Sequence, residues 1–199
     1  MAGQVYIASM NCRGVWAPHP PATVINVTSA QAKNSKNRRD FSPMTEIPGK
    51  YKGYWNFEHY WQKNKVFDGI DQEVATQWWL TQTTPKRRYP KSKGHQVLYA
   101  DFNGEQLDYV ESRKQIYVPE YFNLIKDREM TNHWRQYVLD GNDVVVYDFD
   151  GPRLPNNNVT CLPVTLDLLK EKILHTQHPF GHGIIVGGYL AGFTPDDYI

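Results

Sequence analysis

The stretch Tyr54–Gly69, YWNFEHYWQKNKVFDG, carries a carboxylate, an amide and an ammonium group at helical spacing. Glu58, Gln62 and Lys65 fall at i, i+4 and i+7, and residues so spaced share one face of a helix. Phe57, Tyr60, Trp61 and Phe67 spread over the other faces, so a helix over Phe57–Phe67 would be apolar on most sides and therefore buried. Glu and Lys are seldom buried without a partner or a task. The face is either a Glu–Lys pair inside a packed core or a polar stripe lining a cleft.

A second constellation sits in VVVYDFDGPR, where Asp148 and Asp150 fall at period two after an apolar run. On a strand this spacing puts both carboxylates on one side, where the sheet meets its loop. Such a pair suits a metal, a nucleophile or a general base. The segment imitates the first motif of haloacid-dehalogenase-like phosphatases, but too little chain follows it to build their large parallel sheet. The plainer reading is two surface aspartates that open a loop. His178 and His182 in HPFGH have a suggestive spacing, yet neither a helix nor paired cysteines frame them. No metal site is expected. VGGYLAG lacks the phosphate-binding patterns, and no Ser or Cys sits in a nucleophile motif, so no cofactor is expected either.

The elements that must position these groups are short. Strands are expected at Gln4–Ser9, Thr23–Thr28, His95–Gly104 and Asp143–Phe149, the last being the clearest. Helices are expected at 57–67 and at 71–82 with Asp71 as N-cap. A mostly helical run covers 105–141, broken at Pro119 and stopped at Gly141, and an amphipathic helix follows in 163–177 with Leu166, Leu168, Leu169, Ile173 and Leu174 on one side. The segment GHGIIVGGYLAGF closes the core. Loops are expected at Asn11–Pro21, over the polar stretch 29–49 and at 83–94. Without a regular strand–helix–strand cadence, this order predicts an α+β fold with helices around a small mixed sheet. The 199 residues suit one domain, with an N-terminal strand and long basic loop in 1–53 and the helical and strand core in 54–199.

Composition narrows the function less. Charged residues make up 22% of the chain and the net charge is +1, so nothing global marks a nucleic-acid or membrane binder. Aromatics reach 14%, enough to build a core or to stack on flat rings. Two basic runs stand out, KNSKNRR (Lys33–Arg39) and KRRYPKSK (Lys86–Lys93). They are solvated loops or phosphate contacts. With two cysteines, no secretory signal and no long apolar run, the chain reads as cytosolic.

FEHYWQKNKVF resembles the Glu-His helix of the NADAR family, in which an acidic–His pair is followed by an aromatic residue, Gln and then Lys-Phe. Glu58, His59, Tyr60, Trp61 and Gln62 match in order, while Lys65-Val66-Phe67 departs slightly from the usual spacing. YDFDGPR and FGHGIIVGGYL are similar, more loosely, to later family segments. NVTSAQAKNSKNRRDFSPM resembles a set of phage and large-virus proteins, which places the chain in a host cytoplasm and suggests counter-defence.

The resemblance implies N-glycosidase chemistry on an ADP-ribosyl or phosphoribosyl substrate, with ADP-ribose on guanine bases of nucleic acid as one form. Cleavage of a ribose–base C–N bond builds an oxocarbenium-like ribose, which a carboxylate can stabilise. On that reading Glu58 lies nearest the anomeric carbon, and Asp148 or Asp150 is the second carboxylate. Gln62 orients ribose or base. Lys65 pairs with Glu58 or attacks an opened ribose as an amine. Trp134 or Trp55 stacks on the base, while Arg38, Arg39, Lys86, Arg87 and Arg88 meet phosphates. Two rivals remain: a nucleotide- or nucleic-acid-binding protein without chemistry, and a structural protein whose aromatics are all core. The oligomeric state is left open.

Overall fold

The run Val144–Asp148 is buried at every position, so it needs cover on both faces and a neighbour on both edges. Both needs are met in the computed structural model, which describes residues 1–12 and 19–199; residues 13–18 of the expected Asn11–Pro21 loop lie outside these. The backbone falls into two compact units, one of residues 1–42 and 118–199, the other of residues 43–117. The fold is α+β.

In the first unit, β1 (Val5–Ser9), β2 (Thr23–Asn26), β6 (Val144–Asp148) and β7 (Cys161–Pro163) make a four-stranded sheet among the described residues, ordered β2-β6-β1-β7. β6 pairs in parallel with β1 and β2, and β7 closes the edge antiparallel to β1. Around the sheet stand α1 (Lys36–Phe41), α5 (Val118–Ile125), α6 (Glu129–Leu139), α7 (Leu166–Leu174), α8 (His182–Ala191) and α9 (Pro195–Tyr198). α8 packs on β1 and β6 and is itself covered by α5, α6 and α7. It is buried almost all round, as its sequence HGIIVGGYLA requires.

Glycines set how closely α8 can dock. A Cβ on Gly187 would meet Val164 at 3.3 Å, and one on Gly188 would meet Leu169 at 3.2 Å. At the N-terminal end the fit is closer still. A Cβ on Gly183 would lie 2.6 Å from the Asp148 Cβ.

The second unit carries β3 (Lys65–Phe67), β4 (Val97–Phe102) and β5 (Glu105–Leu107) as an antiparallel sheet ordered β3-β4-β5. Asn103 and Gly104, at φ 54° and 86°, make the β4–β5 turn, as an Asn-Gly pair does when both central residues need positive φ. α2 (Phe57–Lys63), α3 (Gln72–Thr81) and α4 (Tyr109–Ser112) complete it, and a π-helical turn, Arg113–Tyr117, follows α4. Phe57, Tyr60, Trp61 and Tyr117 pack ring against ring here, with centroids 5.0–6.2 Å apart across three of the pairs.

Several expectations need correction. The stretch 29–49 is not all loop: Ser35 accepts from the Arg38 N–H and caps α1. Glu105–Leu107 is a strand rather than the start of a helix, because the Asn-Gly turn folds it back on β4. Pro119 does not end the helical run, which continues from Tyr109 to Ile125, but the α-helix is interrupted just before it by the π-helical turn Arg113–Tyr117. A full break follows between α5 and α6. In α7 Leu169 and Ile173 are buried, but Leu174 is 57% exposed.

Because Gly183 leaves no room for a methyl group, Gly183→Ala should lower stability by about 1–3 kcal/mol. Urea denaturation would read this, with Lys170→Ala on exposed α7 as a control expected within about 0.5 kcal/mol of wild type. Equal midpoints for Gly183→Ala and wild type would show that α8 is not seated this closely.

Candidate active site

α2 begins at Asn56, whose side chain accepts from the His59 N–H at 2.8 Å. It ends two turns later, because Asn64 turns its own N–H and side chain back onto the helix: its N–H donates to Trp61 O and its Nδ2 to Tyr60 O. The expected helix over Phe57–Phe67 is therefore too long. Lys65 leaves the helical face of Glu58 and Gln62 and enters β3, opposite Ala100. Glu58 and Gln62 remain together, with Gln62 Nε2 donating to Glu58 Oε1 at 2.7 Å.

The move to β3 puts Lys65 in the wall of a cavity of about 300 Å³. Trp61, Tyr99, Leu107, Tyr109 and Ser112 share that wall, and Val97 and Leu98, both more than 40% exposed, form its lip. The Lys65 ammonium lies 5.2 Å from the Trp61 ring centroid. Burial pushes its pKa below the ordinary lysine value; the Glu58 carboxylate offsets part of that shift and the Arg88 guanidinium adds to it. Glu58 and Gln62 do not line the cavity. Glu58 reaches it through its field on Lys65.

Tyr109 is fixed from behind. The Arg113 guanidinium, 1% exposed, stacks 4.1 Å from the Tyr109 ring centroid. Trp61, Tyr99 and Tyr109 are thus aromatics of the cavity; sequence reasoning read Trp61 only as part of the helix's apolar surface and passed over Tyr99 and Tyr109. The only available signal was alternation in VLYADF, which puts Val97 and Tyr99 on one side of β4.

His59 has a different task. It is fully buried between Trp79 and Trp55, with ring centroids 5.0 and 5.7 Å away. Its Nε2 accepts the backbone N–H of Lys86 at 3.2 Å, which requires the neutral ring with its proton on Nδ1. Burial and the nearby Lys86 charge lower its pKa to about 4. Trp55 is therefore placed against His59. Lys86, Arg87 and Arg88 are exposed on a loop that this bond and the buried Tyr89, packed on Trp78, hold down.

The other expected site residues belong to the unit of 1–42 and 118–199. Asp148 and Asp150 do not share a face, because β6 ends at Asp148. Asp148 is 1% exposed; its Oδ2 accepts from Gly183 N and its Oδ1 from Phe149 N, both at 2.7 Å. Its carboxyl caps the positive end of α8. Asp150 is exposed. Arg39 binds Asp40 at 2.7 Å and Glu129 at 2.8 Å, and Arg38 donates to Gln31 O. Lys36 and Arg39 together hold the Glu129 carboxyl down to about 2. This basic run is engaged in fastening α1 to α6. Trp134 Nε1 donates to Asn37 Oδ1 at 2.8 Å and its ring meets Tyr137, again between α1 and α6.

Among the described residues no group of three or more His, Cys, Asp and Glu could hold a metal ion, and no helix is long and apolar enough to cross a membrane. Residues 9–162 match the Family of unknown function (DUF6939). The chain belongs to DUF6939. No curated protein and no solved structure matches it. The DUF6939 match takes in the whole of residues 43–117, and with them Lys65 and its cavity, and stops within β7 before α7, α8 and α9.

The buried neutral histidine of this DUF6939 chain makes a pH prediction. Its folded pKa is depressed, so the stability tied to it is fully present above the unfolded value of about 6.5 and is lost as pH falls from there toward 4. The loss reaches up to about 3 kcal/mol. Chemical denaturation at pH 7.5 and 4.5 should show a larger drop for wild type than for His59→Gln, which keeps an acceptor but cannot titrate. Equal drops would mean that His59 is charged in the folded protein.

Proposed function

We propose that residues 43–117 carry an N-glycosidase-type site that cleaves a ribose–base C–N bond, with Lys65 as the reacting group. One observation carries this reading: a lysine whose pKa is lowered by burial stands in a 300 Å³ cavity walled by Trp61, Tyr99 and Tyr109. The lowered pKa raises the fraction of neutral amine near pH 7, and only the neutral amine is a nucleophile. Flat aromatic walls suit a base. The resemblance of the Glu58–Phe67 segment to the NADAR family supports the same chemistry.

The bond changes are as follows. The Lys65 amine adds to C1′ as the C1′–N bond breaks, and the base leaves with that electron pair and takes up a proton. The ribose ring then opens, its ring oxygen becoming a hydroxyl, and an imine forms between Nζ and C1′. Water hydrolyses the imine, returning the amine and a ribose that closes again. Glu58 is a positioning residue here: its negative field keeps the amine from losing its proton too readily and favours the cationic imine. Asp148, the cap of α8, has no part in these steps.

The test is release of ADP-ribose from ADP-ribosylated guanosine DNA and from NAD, read by mass spectrometry. Wild type should release it. Lys65→Arg, which keeps the charge but not a titratable amine, should lose on the order of 10³-fold or more. Cyanoborohydride added during turnover should leave a ribosyl adduct on the peptide containing Lys65. Full activity in Lys65→Arg would exclude the reading.

A second reading rests on the exposed Lys86, Arg87 and Arg88. A protein that only binds nucleotide or nucleic acid would retain substrate unchanged, lose it steeply with added salt, and be indifferent to Glu58→Gln.

A further inference from the structure

Among the described residues that line the cavity of Lys65, few side chains are polar, and each kind has a fixed hydrogen-bonding sense. An ammonium and an indole N–H only donate, so Lys65 and Trp61 cannot accept. The hydroxyls of Tyr99 and Tyr109 can do either. Ser112 is different. It lines the cavity and is 2% exposed, and its Oγ–H donates to Tyr109 O at 3.0 Å. A hydroxyl has one proton and two lone pairs. With its proton engaged, Ser112 Oγ can serve a ligand in the cavity only as an acceptor.

That acceptor is held in place. Ser112 is the last residue of α4, and its N–H donates to Asp108 O at 2.9 Å. Asp108 also caps the helix, its side chain accepting from Glu111 N at 2.8 Å. Tyr109, which takes the Ser112 proton, is pinned by the Arg113 guanidinium 4.1 Å from its ring centroid. Among the described residues no other side chain bonds to Ser112 Oγ. A flat ring stacked in this cavity therefore either gives those lone pairs an N–H or strips them of water and leaves them bare.

We propose that Ser112 selects the base: the cavity takes a ring that carries an exocyclic amino group, and Ser112 Oγ accepts one of its N–H protons. This rests on the reading of the cavity as a ribose–base site and narrows the substrate class to amino-bearing bases. Lys65 and Trp61 can serve only oxo groups and bare ring nitrogens, which bases share. An amino group is what divides them, and Ser112 is the lining side chain restricted to meeting it. A cavity of about 300 Å³ is at the lower end for small ligands, so it takes the base end of a substrate rather than a polymer.

The experiment is titration calorimetry on the full chain with 9-methyladenine, 2-amino-9-methylpurine and 9-methylpurine. The last lacks the amino group that the other two carry. In all three a methyl group stands where ribose would be, so there is no glycosidic bond to cut. At least one amino base should bind about fivefold or more tightly than 9-methylpurine, because a site built to pair an N–H rejects the analogue that lacks it. In Ser112→Ala that advantage should fall to within about twofold, while 9-methylpurine itself stays within about twofold of its wild-type affinity. The unchanged 9-methylpurine shows that the cavity is intact, and urea melts establish that the variant is folded.

The proposal is overturned if none of the three binds, or if wild type gives the amino bases no advantage. It is overturned equally by an advantage that survives in Ser112→Ala. An equal loss for all three ligands in that variant would reduce Ser112 to a structural bond on Tyr109. Selective binding without release of ADP-ribose would keep Ser112 as the selector and remove the glycosidase; release with unselective binding would do the reverse.

Discussion

A carboxyl group at the end of the central strand governs the larger unit. Asp148 is sealed from water, so its oxygens must find donors inside the protein, and they take the backbone N–H groups of Phe149 and Gly183. That choice ties the end of β6 to the beginning of α8. It also fixes why Gly181 and Gly183 lack side chains, since a Cβ at either would run into Asp148. Once α8 is seated, Gly187 and Gly188 let it settle against Val146, Val164 and Leu169, and the remaining helices pack around it. An apolar residue at 148 would leave the first turn of α8 without its cap, and the helix has no side-chain cap of its own.

The smaller unit is organised by the opposite kind of group. Lys65 brings a positive charge into an aromatic wall, and the surroundings lower its pKa rather than neutralise it with a bonded carboxylate. Glu58 is held on Gln62 and acts on Lys65 only through its field. Under the proposed function that arrangement suits a reactive amine; Glu58 and Lys65 form no bonded pair. His59, one residue along, serves the same unit by staying neutral and gripping the Lys86 N–H, so the basic loop begins from a fixed point.

Much of the fold was legible because its signals are local. The β-branched run of β6, the Asp71 cap of α3 and the Asn-Gly turn each depend on residues that are adjacent in sequence. What escaped depended on distant partners. Nothing in YWNFEHYWQKNKVFDG announces that Asn64 will end the helix, because the strand that competes for Lys65–Phe67 lies some thirty residues further on. Arg38 and Arg39 read as phosphate contacts until α6 brings up Glu129, and Asp148 reads as a catalytic acid until α8 arrives from the end of the chain. The acid–His–Gln–Lys constellation was visible by residue type. Of the aromatic walls around Lys65, Trp61 comes from α2 itself, but Tyr99 and Tyr109 come from β4 and α4, and no spacing rule connects those to α2.

The π-helical turn at Arg113–Tyr117 has a consequence for how chains of this kind can differ in length. A π turn is an α-helix that has accommodated one additional residue. Each residue of an α-helix advances the face by about 100°. A homologous chain one residue shorter between Tyr109 and Tyr117 would regularise the helix and rotate Tyr109 and its Arg113 support away from Trp61 by about that angle. The aromatic wall would open. A single-codon deletion at this turn is therefore a short evolutionary route from a walled cavity to an open face, and the insertion is the route back.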